Sequence, residues 1–218
     1  PELRRGSVIF VPPLTAVRNS IGYALLTVLF AGFLGVLTTT LLVRPSRWRN
    51  WLDPLFMLPL GASAVTLGFG YVVSFDWLRT SPLLVLIAHT LVAFPFVVRS
   101  LMPVLLGIRP SLREAAAVQG ASPLRVWREV DLPIMGRALL VAAVFAFTVS
   151  MGEFGATSFI VRPNSGYLTL PIAIQRYLGQ PGALNFGQAM AMSTILMLVC
   201  AVGFIAIERF RYADVGEF

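Results

Sequence analysis

The chain has 218 residues, of which 57% are hydrophobic and 12% charged, with a mean hydropathy of +0.80. Soluble domains carry about a quarter charged residues, so this composition excludes an ordinary soluble enzyme or binding module and points to an integral membrane protein. The net charge of +7 comes from seventeen arginines without a lysine, and basic and aromatic residues do not interleave in the manner that stacks nucleic-acid bases.

The sequence opens on Pro1, and Pro1 to Arg5 is too short to precede a separate apolar region with a cleavage site. The 218 residues are therefore expected to be part of a longer polypeptide. Crossing a hydrocarbon core of about 30 Å takes roughly 20 apolar residues. Residues 21–43 meet this without a charge, and Gly22, Gly32 and Gly35 would let a neighbouring helix come close. Arg44, Pro45, Arg47, Trp48, Arg49 and Trp51 then supply a helix stop, positive charge and interfacial aromatics. A second span is expected over 54–74, rich in small residues, with Phe75 to Ser81 as a polar break.

The third span runs over 82–108 and contains His89, Pro95, Arg99 and Pro103, so its inner end is expected to kink or to reach beyond the lipid. A polar loop over 109–133 follows. The fourth span is expected over 132–159 with Glu153 late in it, and the fifth over 187–207, after a connection rich in proline and glycine. Residues 167–177 in that connection read either as an outer amphipathic segment or as an ordinary loop helix. The expected fold is an all-α, polytopic helical bundle of five spans in one domain, 1–218. With the loop inside the cell, eleven arginines fall on the inner side and six on the outer, as the positive-inside rule asks.

The loop is the most informative segment. Ser111 and Glu114 have the spacing of a capping box, Gly120 can end a helix in the left-handed conformation, and Ser122-Pro123 has the form of a second cap. Two short helices meeting at a glycine elbow are expected. Ala115 and Ala116 give a small flat patch, while Leu124, Trp127, Val130 and Leu132 can anchor the second helix against the spans. Read without any family, Glu114 is more readily a helix cap than a partner contact, and Pro133 is as much a helix-start device as a contact.

Glu114-Ala115-Ala116, three residues, Gly120, nine residues, Val130, one residue and Leu132-Pro133 form a pattern similar to the cytoplasmic loop of the permease subunits of binding-protein-dependent ABC importers. The one departure is Val130 in place of isoleucine. The resemblance implies a multi-pass subunit of the bacterial inner membrane. Its loop would dock on separate ABC ATPase subunits, an extracytoplasmic substrate-binding protein would deliver the solute, and a second permease half or subunit would complete the path. Glu114, Ala115, Ala116, Gly120, Val130, Leu132 and Pro133 would form the ATPase-coupling loop. Met151 to Ala156, with Arg162-Pro163 and Leu168 to Pro171, resembles the branch with ferric-iron and thiamine permeases, in which two halves are often fused.

Other readings are weaker. A phosphate loop needs a lysine and none exists, so ATP hydrolysis is expected on a partner chain, and neither a catalytic residue nor a resident cofactor or metal is expected. His89 is the only histidine, with no carboxylate pair placed beside it in sequence, which argues against an enzyme and favours a simple hydrogen bond to a neighbouring helix. An ion-coupled secondary transporter using His89, Arg99 and Glu153 is the alternative, but the inverted repeat that would support it is missing. Ser63, Thr148 and Glu153 are candidates for the translocation path. Glu153 could face the outer mouth and favour a cation, or pair with Arg162, or simply be solvated.

Overall fold

The computed structural model describes residues 12–43, 49–78, 81–161 and 166–212, apart from the side chains of 49–53, 76 and 207–212. The Arg44 to Trp48 interface segment, the Trp51 side chain and Arg162-Pro163 lie outside the described residues. All regular structure among those described is helical: α1 Pro13–Val43, α2 Arg49–Gly61, α3 Ala64–Ser74, α4 Pro82–Gly107, α5 Pro110–Val118, α6 Pro123–Val126, α7 Leu132–Met151, α8 Thr157–Ile160, α9 Leu170–Leu178 and α10 Ala183–Tyr212. A 3-10 turn over Asp76–Leu78 follows α3, and a π turn over Trp127–Asp131 joins α6 to α7.

Helices α1, α4 and α7 form the centre. Gly35 of α1 sits so close to α4 that a Cβ added there would lie 2.4 Å from Val97 Cγ1, whereas one at Gly22 or Gly32 would meet nothing within 4 Å. Of the three glycines expected to permit close approach, Gly35 is the one that does so within this chain. Around it Ala31, Ala93, Val97, Leu101, Met135, Ala142 and Ala146 are buried together. Small residues let the backbones pack where lipid supplies no hydrophobic drive for association. Helix α4 runs without a break through Pro95 and Pro103.

The expected second span is not one rod. Pro54–Gly61 and Ala64–Ser74 meet at an angle of 106°. At about 1.5 Å per residue, arms of eight and eleven residues reach roughly 12 and 16 Å, so neither crosses about 30 Å alone. The bend falls at Ala62-Ser63, where Ser63 is extended (φ −65°, ψ 131°) after a stretch interrupted by Pro54 and Pro59.

The fourth span also differs from expectation. Helical structure runs over 123–151 and stops at Gly152, eight residues short of Phe159, because the chain turns through 153–156 into the short α8. Helix α10 extends further than 187–207 at both ends. In the connection before it, α9 is amphipathic and buries Leu170, Ile172, Ala173 and Tyr177. It is held from α1 by Asn19, whose Nδ2 donates to the carbonyls of Gly166 (2.9 Å) and Leu168 (3.0 Å), and by Ser20 Oγ, which accepts from the Leu170 amide (2.7 Å).

Gly35→Leu forces atoms into occupied space at the α1–α4 crossing, which costs about 1–3 kcal/mol in a packed core. Thermal unfolding of the detergent-solubilised chain will show a clear loss for Gly35→Leu and a smaller one for Gly32→Leu.

Candidate functional site

Two polar constellations stand out in the bundle. The first is the loop over 109–133. Helix α5 begins with Pro110 at its first position, and Arg109 is the residue before it. The capping box expected from Ser111 is therefore absent, because proline sets the first turn one residue earlier and removes an amide that would need a partner. The helix ends in a two-bond motif, with the Ala121 amide on Ala116 O (3.1 Å) and the Gly120 amide on Ala117 O (2.9 Å). Gly120 has φ +86°, the left-handed region the motif requires. The elbow predicted from the sequence is present, and so is the second cap: Ser122 Oγ accepts from the Arg125 amide at 3.4 Å, with Pro123 next in line.

Helix α5 buries no residue. It is tied to the bundle on one side by Arg113, whose Nε donates to Asp131 Oδ1 at 2.8 Å and whose Nη2 reaches Leu105 O at 3.4 Å. A bond between a guanidinium and a nearly buried carboxylate is among the stronger polar contacts. On the opposite side Leu112, Glu114, Ala115 and Val118 face outward, Val118 with 89% exposure, and Leu124 of α6 is 74% exposed. The Arg125–Glu129 pair (2.9 Å) is exposed at both ends and so contributes little.

The α6–α7 junction is wound wide, with the Leu132 amide bonding to Trp127 O five residues back. Pro133 accounts for this, since it has no amide for the Glu129 carbonyl and its ring would collide with it in a normal turn. Trp127 Nε1 donates to Thr40 Oγ1 of α1 at 3.3 Å. A cavity of about 350 Å³ lies between these elements, lined by residues including Thr40, Leu105, Arg113, Trp127 and Asp131.

The second constellation lies deep between α1, α4, α7 and α8. His89 is 1% exposed, with Nδ1 2.7 Å from Ser150 Oγ and Nε2 2.9 Å from Thr157 Oγ1. Ser150 Oγ donates onward to Thr27 Oγ1 at 3.3 Å. Glu153, 5% exposed, accepts from the Ala156 amide at 2.8 Å, from the Thr157 amide at 3.1 Å and from the Thr157 hydroxyl, and its Oε2 is 3.6 Å from His89 Nε2. The Thr157 hydroxyl thus lies between the imidazole and the carboxylate and contacts both.

Residues 29–211 match the model of the family described as binding-protein-dependent transport system inner membrane component. The chain belongs to that family. Among its relatives, the molybdenum transport system permease protein ModB of Escherichia coli is 28% identical over 208 residues, covering 88% of this chain and 91% of ModB. The sulfate transport system permease protein CysT of Salmonella typhimurium is 34% identical over 154 residues, covering 61% of this chain and 53% of CysT. The chain thus spans about half the length of CysT, and 60% of that of the 2-aminoethylphosphonate transport system permease protein PhnV of the same organism, to which it is 28% identical. In a crystal structure of a bacterial ABC transporter involved in the import of the acidic polysaccharide alginate, a chain with 18% identity superposes with a TM-score of 0.72 over 92% of this chain and 78% of its own, which shows the same fold.

In this inner membrane component, the residues singled out in the sequence separate into groups. Glu114, Ala115, Gly120 and Pro133 are exposed, while Ala116, Val130 and Leu132 are half-buried, with Val130 against the central core. Leu124, expected to anchor α6 against the spans, is 74% exposed and lines an open groove with Phe33, Leu37 and Leu41 of α1. Ser63 is exposed at the α2–α3 bend. The Thr148 hydroxyl donates to Val144 O of its own helix (2.8 Å) at a point where α7 faces Gly203 of α10. Glu153 is neither solvated nor at an open mouth, because two backbone amides and Thr157 enclose it. His89 does bond to neighbouring helices as expected, and a single carboxylate, Glu153, stands beside it. The Arg113–Asp131 tie was also missed; its only trace is a pair of opposite charges eighteen residues apart within one polar segment.

Leaving buried amides without an acceptor costs about 1–3 kcal/mol per group. Glu153→Leu will therefore lower the thermal midpoint of the solubilised chain substantially. Glu153→Gln, which keeps a carbonyl for the Ala156 amide, will fall between it and the native protein.

Proposed function

We propose that this chain forms, with a second permease half or subunit, the membrane path of an ATP-driven importer, and that the 109–133 loop is where separate ABC ATPase subunits grip it. The observation that carries this reading is α5. It is a helix with no buried residue, held on one side by Arg113 and presenting Leu112, Ala115 and Val118 outward on the other. Exposed apolar side chains on a rigidly anchored helix mark a protein contact. Glu114, Ala115 and Gly120 belong to the contact surface. Ala116, Val130, Leu132 and Pro133 seat that surface on the bundle. An extracytoplasmic binding protein delivers the solute, and all energy enters from the ATPase, so the chain performs no chemistry of its own.

For ATPase closure to move the spans, the loop must bind the motor's open and closed states with different strength, since equal affinity shifts no equilibrium. The two-bond elbow at Gly120 and the Arg113 tie make α5 and the end of α4 one rigid piece suited to transmit such a difference. The cargo is a small solute selected by the binding protein. The relatives ModB and CysT are named for molybdenum and sulfate transport, which puts an oxyanion ahead of the ferric iron or thiamine suggested by the Met151 to Ala156 segment. Ser63, at the bend of the α2–α3 pair, remains the best-placed candidate of the three for the path.

Gly120→Val puts a β-branched residue where φ is +86°, at a cost of roughly 1–2 kcal/mol for the left-handed conformation. Co-purification with the cognate ATPase will be weakened for Gly120→Val, and hydrolysis stimulated by the binding protein will be lost in proteoliposomes. Native levels of both would refute the docking role. Calorimetric titration of the purified binding protein with sulfate, molybdate, ferric iron and thiamine will identify the cargo.

A further inference from the structure

The buried His89–Thr157–Glu153 network plays no part in the account above, yet it sits where two moving parts would have to meet. Helix α4 carries the loop at one end, through Leu105 O and Arg113, and His89 further along its length. The sixteen residues between Leu105 and His89 span about 24 Å of helix. At His89 the helix is linked to α7 through Ser150 and to the 153–157 turn through Thr157. That turn is shaped by Glu153, which takes up the amides of Ala156 and Thr157. Its backbone in turn lies directly against α3: a Cβ added at Gly68 would be 2.6 Å from Ala156 Cα, and one at Gly155 would be 2.8 Å from Ala64 Cβ. With no side chain between them, turn and α3 cannot slide apart without opening a void.

We infer that His89, Thr157 and Glu153 are positioning residues that carry a displacement of α4, imposed at the loop, to the α3 arm of the bent α2–α3 pair. The polar chain suits this task better than apolar packing would. Each link has one geometry that satisfies both partners, and separating buried partners leaves a carboxylate or a ring nitrogen unmatched. A shift of α4 is therefore followed by the turn rather than absorbed at the contact. The Thr157 hydroxyl is the single atom shared by His89 and Glu153, so it is the point at which the relay can be cut without emptying space. This inference rests on the coupling role of the loop proposed above.

The test uses the complete transporter in proteoliposomes with its own ATPase and binding protein. Thr157→Val keeps the shape and removes the hydroxyl, and Thr157→Ser restores it. For Thr157→Val, assembly and basal hydrolysis stay within about twofold of native, while the stimulation by binding protein falls about tenfold, the scale of one lost hydrogen bond to a charged group. Thr157→Ser stays near native, an outcome that a purely steric role for the position would not give. Undiminished stimulation in Thr157→Val overturns the relay and leaves the docking role standing; native hydrolysis that ignores the binding protein overturns the docking role itself.

A reporter on α3 decides the matter even if Thr157→Val fails to assemble. Val73 is 64% exposed, and Cys200 is the only native thiol. Val73→Cys in a Cys200→Ala background should react with a membrane-impermeant thiol reagent at different rates in nucleotide-free and ATP-trapped states. Equal rates with the network intact would mean that α3 does not follow α4, and the inference fails.

Discussion

A backbone amide or carbonyl without a partner inside a bilayer costs several kcal/mol, so a chain may leave the helical conformation there only where something else satisfies it. This requirement governs the interior of the bundle. Where α7 ends at Gly152 and the chain turns before α8, the Glu153 carboxylate stands in for the missing helical acceptors of two amides. An isolated carboxylate is costly in that position, and Thr157 with the adjacent His89 makes it tolerable by completing its polar surroundings. The turn so stabilised provides the flat surface on which α3 rests, and the bent α2–α3 pair follows from it.

At the other end of α4 the same logic acts through Arg113. The guanidinium reaches a carbonyl in the last turn of α4, where α-helix carbonyls otherwise lack partners, and the Asp131 carboxylate at the end of the π turn before α7. The loop is thereby a stiff attachment and not a tether. Its two helices owe their relative direction to one left-handed glycine and one serine cap. The inner membrane component thus has polar fastenings at both ends of α4 and an almost entirely apolar middle.

The sequence made the polytopic all-α class, the glycine elbow at Gly120 and the Ser122-Pro123 cap plain, because hydropathy and capping are local properties. The bend at Ala62-Ser63 was hidden, since a run of apolar and small residues reads identically whether straight or broken, and the feature that holds α3 aside is Ala156, nearly a hundred residues away. The Ser122-Pro123 cap located the second loop helix but not how deeply it seats: Trp127 reaches Thr40 of α1, whereas Leu124 stays 74% exposed at the edge of a groove with Phe33 and Leu37. Glu153 and His89 were recognisable as unusual, but their partnership spans sixty-four positions and no pattern within either helix announces it.

Helix α1 has 31 residues, which is about 46 Å of helix against a hydrocarbon core of about 30 Å. The surplus is not idle. Its first turns carry Asn19 and Ser20, which hold the 166–170 connection and with it α9. The height of that shelf above the lipid is consequently set by how far α1 leans, and tilt answers to membrane thickness. The bilayer itself thereby acts as a ruler for this end of the protein.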